Sequence, residues 1–186
     1  MPKEIELKFA ATAEQLKQLQ DRFGDFTKTQ METTYYDTPD RQLSTAKITL
    51  RRRQENDKSI CTVKTPAPGL ARGEWEVADT DIGHALPILC KLGAPQMLLK
   101  LPVVIPVCGA RFIRLSRLLS LPEAQIELAL DQGVLLGGGR ELPFGEMELE
   151  LKSGSEAALI SAADAIAAEF SLKAEPKSKF ARAREL

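Results

Sequence analysis

Histidine is almost missing from this chain, and cysteine is scarce. The one histidine, His84, stands in a segment punctuated by glycine and proline, so imidazole triads and zinc clusters have little to build on. Cys61, Cys90 and Cys108 have neither paired nor metal-type spacing, which argues for reduced thiols rather than a disulfide framework. No apolar run approaches the ~20 residues that cross a bilayer. The first residues pass straight into a charged segment with no apolar signal stretch. We therefore expect a cytoplasmic protein with no membrane partner. Neither charge is in excess: 25 Lys and Arg face 26 Asp and Glu, a net charge of −1. The basic stripe that holds nucleic acid is thus missing as well. Gly137-Gly138-Gly139 lacks the strand–turn–helix setting of a phosphate loop and reads as a hairpin tip without a ligand role.

What the chain does have is ionic alternation. In Glu4-Ile5-Glu6-Leu7-Lys8 the charged residues fall at every second position. Successive side chains of a strand point to opposite faces, so Glu4, Glu6 and Lys8 share one side and Ile5, Leu7 and Phe9 the other. Alone, this describes the half-buried edge of an antiparallel sheet with its polar face in water. The pattern recurs, however, and Glu146-Met147-Glu148-Leu149-Glu150-Leu151-Lys152 is a still more acidic copy.

The 186 residues, 44% of them hydrophobic, fit one domain over 1–186. After the first strand, Thr12 and Gln15 have capping-box spacing, and Leu16, Leu19 and Phe23 recur at helical spacing up to Gly24. Strands are expected at Thr33–Asp37, Lys47–Gln54, Ser59–Thr65 and Arg72–Val77. A connection of short helices broken by Pro87 and Pro95 follows. Further strands are expected near Val103–Leu119, Gln125–Asp131 and Glu146–Lys152, then an amphipathic helix over about Ser155–Phe170 and a basic tail. The ionic faces carry Glu74, Glu76, Glu127 and Asp131 among the acids and Arg51, Arg53, Lys64, Arg72 and Arg114 among the bases. Arg52 and Arg117 fall off these faces.

Roughly eight strands joined mostly by hairpins can close into a barrel. The expected class is α+β: an eight-stranded antiparallel β-barrel with helices packed outside. If the apolar faces meet the helices, the ionic faces line the lumen. Bare charges in such a lumen repel and shift one another's pKa values unless a ligand joins them. Glutamates two apart along a strand, ~7 Å from each other, suit hard divalent cations. Arginine and lysine suit phosphate oxygens. A ligand that needs both is a polyphosphate with magnesium or manganese, and the chemistry that follows is phosphoanhydride hydrolysis.

These residues resemble the triphosphate tunnel metalloenzymes, the CYTH superfamily. The signature Glu-x-Glu-x-Lys is met by Glu4, Glu6 and Lys8. In order along the chain follow Tyr35-Tyr36-Asp37-Thr38, Leu50-Arg51-Arg52-Arg53, Thr62-Val63-Lys64, Arg72-Gly73-Glu74-Trp75-Glu76, Phe112-Ile113-Arg114, Glu127 to Asp131 and Glu146 to Lys152. The resemblance implies that Lys8, Arg51, Arg53, Lys64 and Arg114 hold a triphosphate, with Arg72 also on the substrate. It implies that Glu6, Glu148 and Glu150 carry a first divalent ion, and that Glu4 with Glu146 helps hold a second and positions water. Lys177 and Lys179 resemble a C-terminal element near one tunnel mouth. The run from Gln125 to Gly133 is most similar to bacterial inorganic triphosphatases, many of which carry a further helical polyphosphate-binding domain.

Blander readings stand beside these. Glu74 and Glu76 also suit cross-strand pairing with arginine, Tyr35 and Tyr36 suit packing, and Lys177 and Lys179 suit a solvated tail. Three functions remain open: an inorganic triphosphatase, a class IV-type adenylyl cyclase or nucleoside or thiamine triphosphatase, and a non-catalytic polyphosphate-binding module. The oligomeric state is open between monomer and homodimer.

Overall fold

A computed structural model of the chain describes residues 3–186. Its strands are β1 (Lys3–Ala10), β2 (Thr27–Asp37), β3 (Thr49–Glu55), β4 (Lys58–Pro66), β5 (Ala71–Ala78), β6 (Ile105–Leu121), β7 (Ala124–Gly137), β8 (Arg140–Gly154) and a two-residue β9 (Lys173–Ala174). Neighbours run β5-β4-β3-β2-β6-β7-β8-β1, all antiparallel, and β1 pairs back onto β5. Eight strands thus close into the expected barrel. The closing seam is short: Lys3, Glu4 and Ile5 against Gly73, Arg72 and Ala71, after which β1 leaves β5 and pairs with β8 from Glu6 to Ala10. The ninth strand lies on the end of β1, at Phe9 and Ala10.

The helices cover the apolar outer face. Helix α1 (Ala13–Phe23) starts at Thr12, whose hydroxyl accepts from the Gln15 N–H while the Gln15 side chain accepts from the Thr12 N–H; Gly24 ends it at φ 59°. With α4 (Glu156–Glu169) it packs Leu16, Leu19, Leu159 and Ala163 onto Ile126, Leu128, Met147 and Leu149 of β7 and β8. A second core sits over β3, β4 and β5. There Leu43 of α2 (Gln42–Thr45) and Leu86 and Leu89 of α3 (Ile82–Lys91) meet Leu50, Val63 and Trp75. No helix among the described residues is long and apolar enough to cross a membrane.

The structure departs from expectation in three places. Helix α3 runs unbroken through Pro87. The proline forfeits one helical hydrogen bond, but burial of Ala85, Leu86, Leu89 and Cys90 on the second core holds the turn. Strands β2, β7 and β8 extend well past the charged runs that revealed them. The basic tail is a helix, α5 (Lys179–Arg184), capped by the Ser178 hydroxyl accepting from the Ala181 N–H. This helix does not pack outside: Ser178, Lys179 and Phe180 face the barrel interior. Gly137 makes the approach possible, since a Cβ there would stand 1.9 Å from the Ala183 carbonyl oxygen. The glycine expected to be only a hairpin tip is therefore a docking surface for α5.

Leu149 is fully buried and Leu118 is 49% exposed. Leu149→Ala should cost about 2–5 kcal/mol in urea unfolding with an unchanged slope, and Leu118→Ala less than about 0.5 kcal/mol. The three cysteines are free thiols. Burial pushes Cys61 up to about 11 and Cys108 up to about 12. Both should therefore resist alkylation at pH 8 in the folded protein and react promptly in urea.

Candidate functional site

Closure turns the alternation into a lined cavity of 290 Å³ inside the barrel. Acids and bases line it in equal number: Glu4, Glu6, Glu74, Glu76, Glu148 and Glu150 with Glu55 and Glu127, against Lys8, Arg51, Arg53, Lys64, Arg72 and Arg114 with Lys152 and Lys179. The sheet register sets which of them meet. Glu6 stands opposite Glu150, itself opposite Glu127, so three carboxylates form one row across β1, β8 and β7. Lys8 stands opposite Glu148 in the next row, and Lys64 stands opposite Glu74.

On the side of the barrel made by β1, β3, β4 and β5, the pairing is loose. Lys64 binds the buried Glu4 carboxylate and lies 3.3 Å from Glu74. Arg51 is 3.6 Å from Glu74 and 3.7 Å from Glu76, Lys8 is 3.7 Å from Glu6, and Arg53 pairs with Glu55. These are mostly end-on charge contacts rather than forked hydrogen bonds. Three buried polar atoms have no partner here: Glu4 Oε2, Arg51 Nε and Arg53 Nε. Burial lowers the pKa of Arg53, and repulsion from Arg51 and Arg114 lowers it further. For Arg51, burial also acts downward, but Tyr35 and Glu74 with Glu76 and Glu4 outweigh it and raise its pKa. Each guanidinium thus has a carboxylate within reach but keeps its Nε without a partner.

On the β6–β7–β8 side each of the three buried carboxylates is matched, although Arg182 keeps its Nε without a partner. Arg114 grips Asp131 with a fork, Nε to Oδ1 at 2.8 Å and an Nη to Oδ2 at 2.7 Å, and also binds Glu148. Lys179 reaches in from α5 to Asp131 at 2.7 Å, to Glu148 at 2.9 Å and to Glu146. Arg182 takes the other oxygen of Glu146. Asp131, Glu146 and Glu148 lie close enough to share an ion, yet here three cations neutralise three carboxylates. Burial pushes Glu148 up, but Lys179 and Arg114 outweigh it and hold the carboxyl well below the usual range. Burial pushes Lys179 down, and Asp131, Glu148 and Glu146 reverse this and raise its pKa. Glu146 is raised, by burial first and by the neighbouring Glu148 as well, against the pull of Lys179 and Arg182.

The cavity wall thus brings together Glu4, Glu6, Lys8, Arg51, Arg53, Lys64, Arg72, Arg114, Glu148, Glu150 and Lys179 from the sequence reading. It does not include two others. Glu146 is wholly buried behind the wall, anchoring α5, and the exposed Lys177 pairs with Glu185 at 2.8 Å. Glu74 and Glu76 pair with Arg51 across the strands. Arg52 and Arg117 lie off the lumen, on the Thr80 carbonyl at 3.1 Å and the Gly24 carbonyl at 2.8 Å. Tyr35 packs on Phe180, ring centroids 5.1 Å apart. Sequence reasoning passed over Lys152, 2.8 Å from Glu150, although the alternation through 146, 148 and 150 places it on the same face. It also passed over Arg182, whose role depends on where α5 lies and has no strand-pattern signal.

A closed antiparallel barrel with a balanced ionic lumen defines a charged-tunnel protein. Residues 2–183 match the CYTH domain, and the chain belongs to that family. It is 33% identical over 166 residues to an inorganic triphosphatase of Haemophilus influenzae, a match that takes in 83% of this chain and 47% of that protein. The chain therefore spans about half the length of that curated relative. Among solved structures, a candidate adenylate cyclase from Bacillus halodurans shares the fold with a TM-score of 0.65 at 22% identity, over 96% of each chain. A Hippeastrum protein with a dominant triphosphatase activity superposes with a TM-score of 0.64 at 16% identity, over 100% of this chain and 96% of that one.

Lys179→Met would leave three buried carboxylates with two cations and should cost about 3–5 kcal/mol at neutral pH. The depressed Glu148 contributes stability above its unfolded value of 4.5, lost as pH falls through the lower folded value. The raised Lys179 contributes below 10.5 and is lost as pH rises through its higher folded value. Urea unfolding across pH should show a plateau between those limits. In Lys179→Met the acid limb should begin at higher pH.

Proposed function

We propose that this chain is a divalent-metal-dependent hydrolase of inorganic triphosphate, acting inside the barrel. The observation that carries the reading is that three residues lining one cavity each keep a buried atom without a hydrogen-bond partner: Arg51 Nε, Arg53 Nε and Glu4 Oε2. A buried polar group without a partner costs free energy that a ligand recovers, and these atoms ask for an anion and a cation together. The equal number of acids and bases supports the same conclusion. A bare polyanion would unbalance the lumen, whereas a polyphosphate carrying divalent ions is close to neutral and meets both sets.

The donor chemistry fits the ion as well. Carboxylates of Glu4, Glu6, Glu148 and Glu150, all lining the cavity, are the hard oxygen ligands that magnesium or manganese prefers. When bound, such an ion supplies positive charge at the phosphoryl oxygens. The chain's own residues do the rest. Lys8, Arg51, Arg53, Lys64 and Arg114 hold the phosphates in line and stabilise the charge that spreads over the transferred phosphoryl oxygens. Water forms a new P–O bond at the terminal phosphorus while the bridging P–O bond breaks, releasing phosphate and pyrophosphate. The free oxygen of Glu4 is placed to accept the water's hydrogen bond and orient it. In this reading Glu146 anchors α5 rather than holding an ion, because it is wholly buried behind the cavity wall with Lys179 and Arg182 on its oxygens, whereas Glu148 lines the cavity.

The adenylate cyclase neighbour raises a nucleotide reading, but the aromatic rings that line the cavity are already engaged, Tyr35 with Phe180 and Phe112 with Phe144, Arg114 and Lys179. The inorganic triphosphatase relative and the polar lumen favour a substrate without a base.

Phosphate release from tripolyphosphate should require magnesium or manganese and stop with chelator, with ATP hydrolysed far more slowly and no cyclic AMP formed. Lys8→Ala and Glu148→Gln should each lower turnover at least about a hundredfold while the circular dichroism spectrum stays that of the barrel. Undiminished turnover in either variant would sink the assignment. Tripolyphosphate binding without release under any divalent ion would select a binding module instead.

A further inference from the structure

Outside the lumen a groove of 480 Å³ opens beside α2 and α5 and shares Thr49, Arg72, Ser178 and Phe180 with the cavity wall. Its cations are Arg41, Lys47, Arg72 and Arg184. Among the described residues none of the four forms an ion pair or a side-chain hydrogen bond, whereas Lys8, Arg51, Arg53, Lys64 and Arg114 are each paired. The one acid in the groove, Glu185, is already held by Lys177. Four unpaired cations in one concave surface form a field for an anion.

The loop that presents two of them is built rather than loose. Arg41 and Lys47 flank α2 in the left-handed region, at φ 62° and 56°, which residues with a Cβ disfavour. They are held there by Asp37, wholly buried, whose carboxylate accepts from the N–H groups of Thr38 at 2.8 Å, Leu43 at 3.0 Å and Ser44 at 3.3 Å and from the Ser44 hydroxyl. Leu43 is buried beneath, and the Arg41 and Lys47 N–H groups close turns onto the Thr38 and Ser44 carbonyls. Asp37 is thus the fixed point of a loop whose two strained positions are both cations aimed at the same groove.

We propose that this groove is an extension of the tunnel that takes the phosphoryl groups of a linear polyphosphate beyond the third, giving the protein a preference for longer chains. The proposal rests on the tunnel reading above. Arg72, common to both surfaces, links the lumen to the groove, and the Ser178 hydroxyl, which accepts from the Ala181 N–H, keeps its own hydrogen to donate to a phosphate oxygen. A nucleoside fits less well, because the groove's one aromatic ring, Phe180, is turned onto Tyr35.

The test compares wild type with Arg41→Gln/Lys47→Gln and, separately, Arg184→Gln. Each is titrated calorimetrically with tripolyphosphate and with linear polyphosphate of tens of units, and assayed on both. The variants should match wild type on tripolyphosphate in affinity, turnover and melting temperature. On long polyphosphate the double variant should lose roughly tenfold in affinity, with a shallower dependence on salt. An unchanged ratio between long and short chains would overturn the extension, as would an equal loss on tripolyphosphate. Because binding is read without turnover, a protein that binds long chains through these cations but hydrolyses nothing would overturn the triphosphatase reading and leave the extension standing.

Discussion

Everything in this molecule follows from one constraint: a closed sheet has an inside, and period-two alternation assigns every second side chain to it. Helices α1, α3 and α4 satisfy the outer apolar face. The charged face then has nowhere to go but the lumen, away from bulk water. Charges so confined must be matched, because an unpaired buried ion is among the most costly features a fold can hold. The numbers of acids and bases in the wall are equal, and register brings most of them within reach of a partner.

The matching is uneven around the barrel. On the β6–β7–β8 side, Arg114, Lys179 and Arg182 saturate Asp131, Glu146 and Glu148, and the result is a fixed wall that also ties α5 in place. Opposite, Arg51, Arg53 and Glu4 keep buried atoms without partners. A fold selected only for stability would fork those guanidiniums onto carboxylates as Arg114 is forked. Their incomplete pairing is where preorganised charge is available to a ligand, the arrangement that electrostatic catalysis needs. The charge pattern extends past the barrel mouth to Arg184 of α5 and to Arg41 and Lys47, whose loop is held by a buried carboxylate instead of by mutual ion pairs.

Much of this was legible beforehand because strands announce themselves by alternation. Glu4, Glu6 and Lys8, or Glu148 and Glu150, can be assigned to one face by counting, and the capping box at Thr12 and Gln15 is a local motif whose partners lie three residues apart. What escaped were contacts without a local signature. Arg182 meets Glu146 across 36 residues of chain. Gly137 looks like an ordinary turn glycine until Ala183 is laid against it. Asp37 sits in a recognisable tyrosine-rich motif, yet its work on the α2 loop appears only when Leu43 and Ser44 fold back over it.

By itself, then, the sequence determined the strand faces, the eight-stranded closure and the ionic identity of the lumen, since each depends on spacings along a few residues. The tertiary structure alone decided which charges cancel and which stay available. That outcome depends on cross-strand register and on where the C-terminal helix docks. Both are set by packing between residues far apart in the chain, and no periodicity along the chain encodes them.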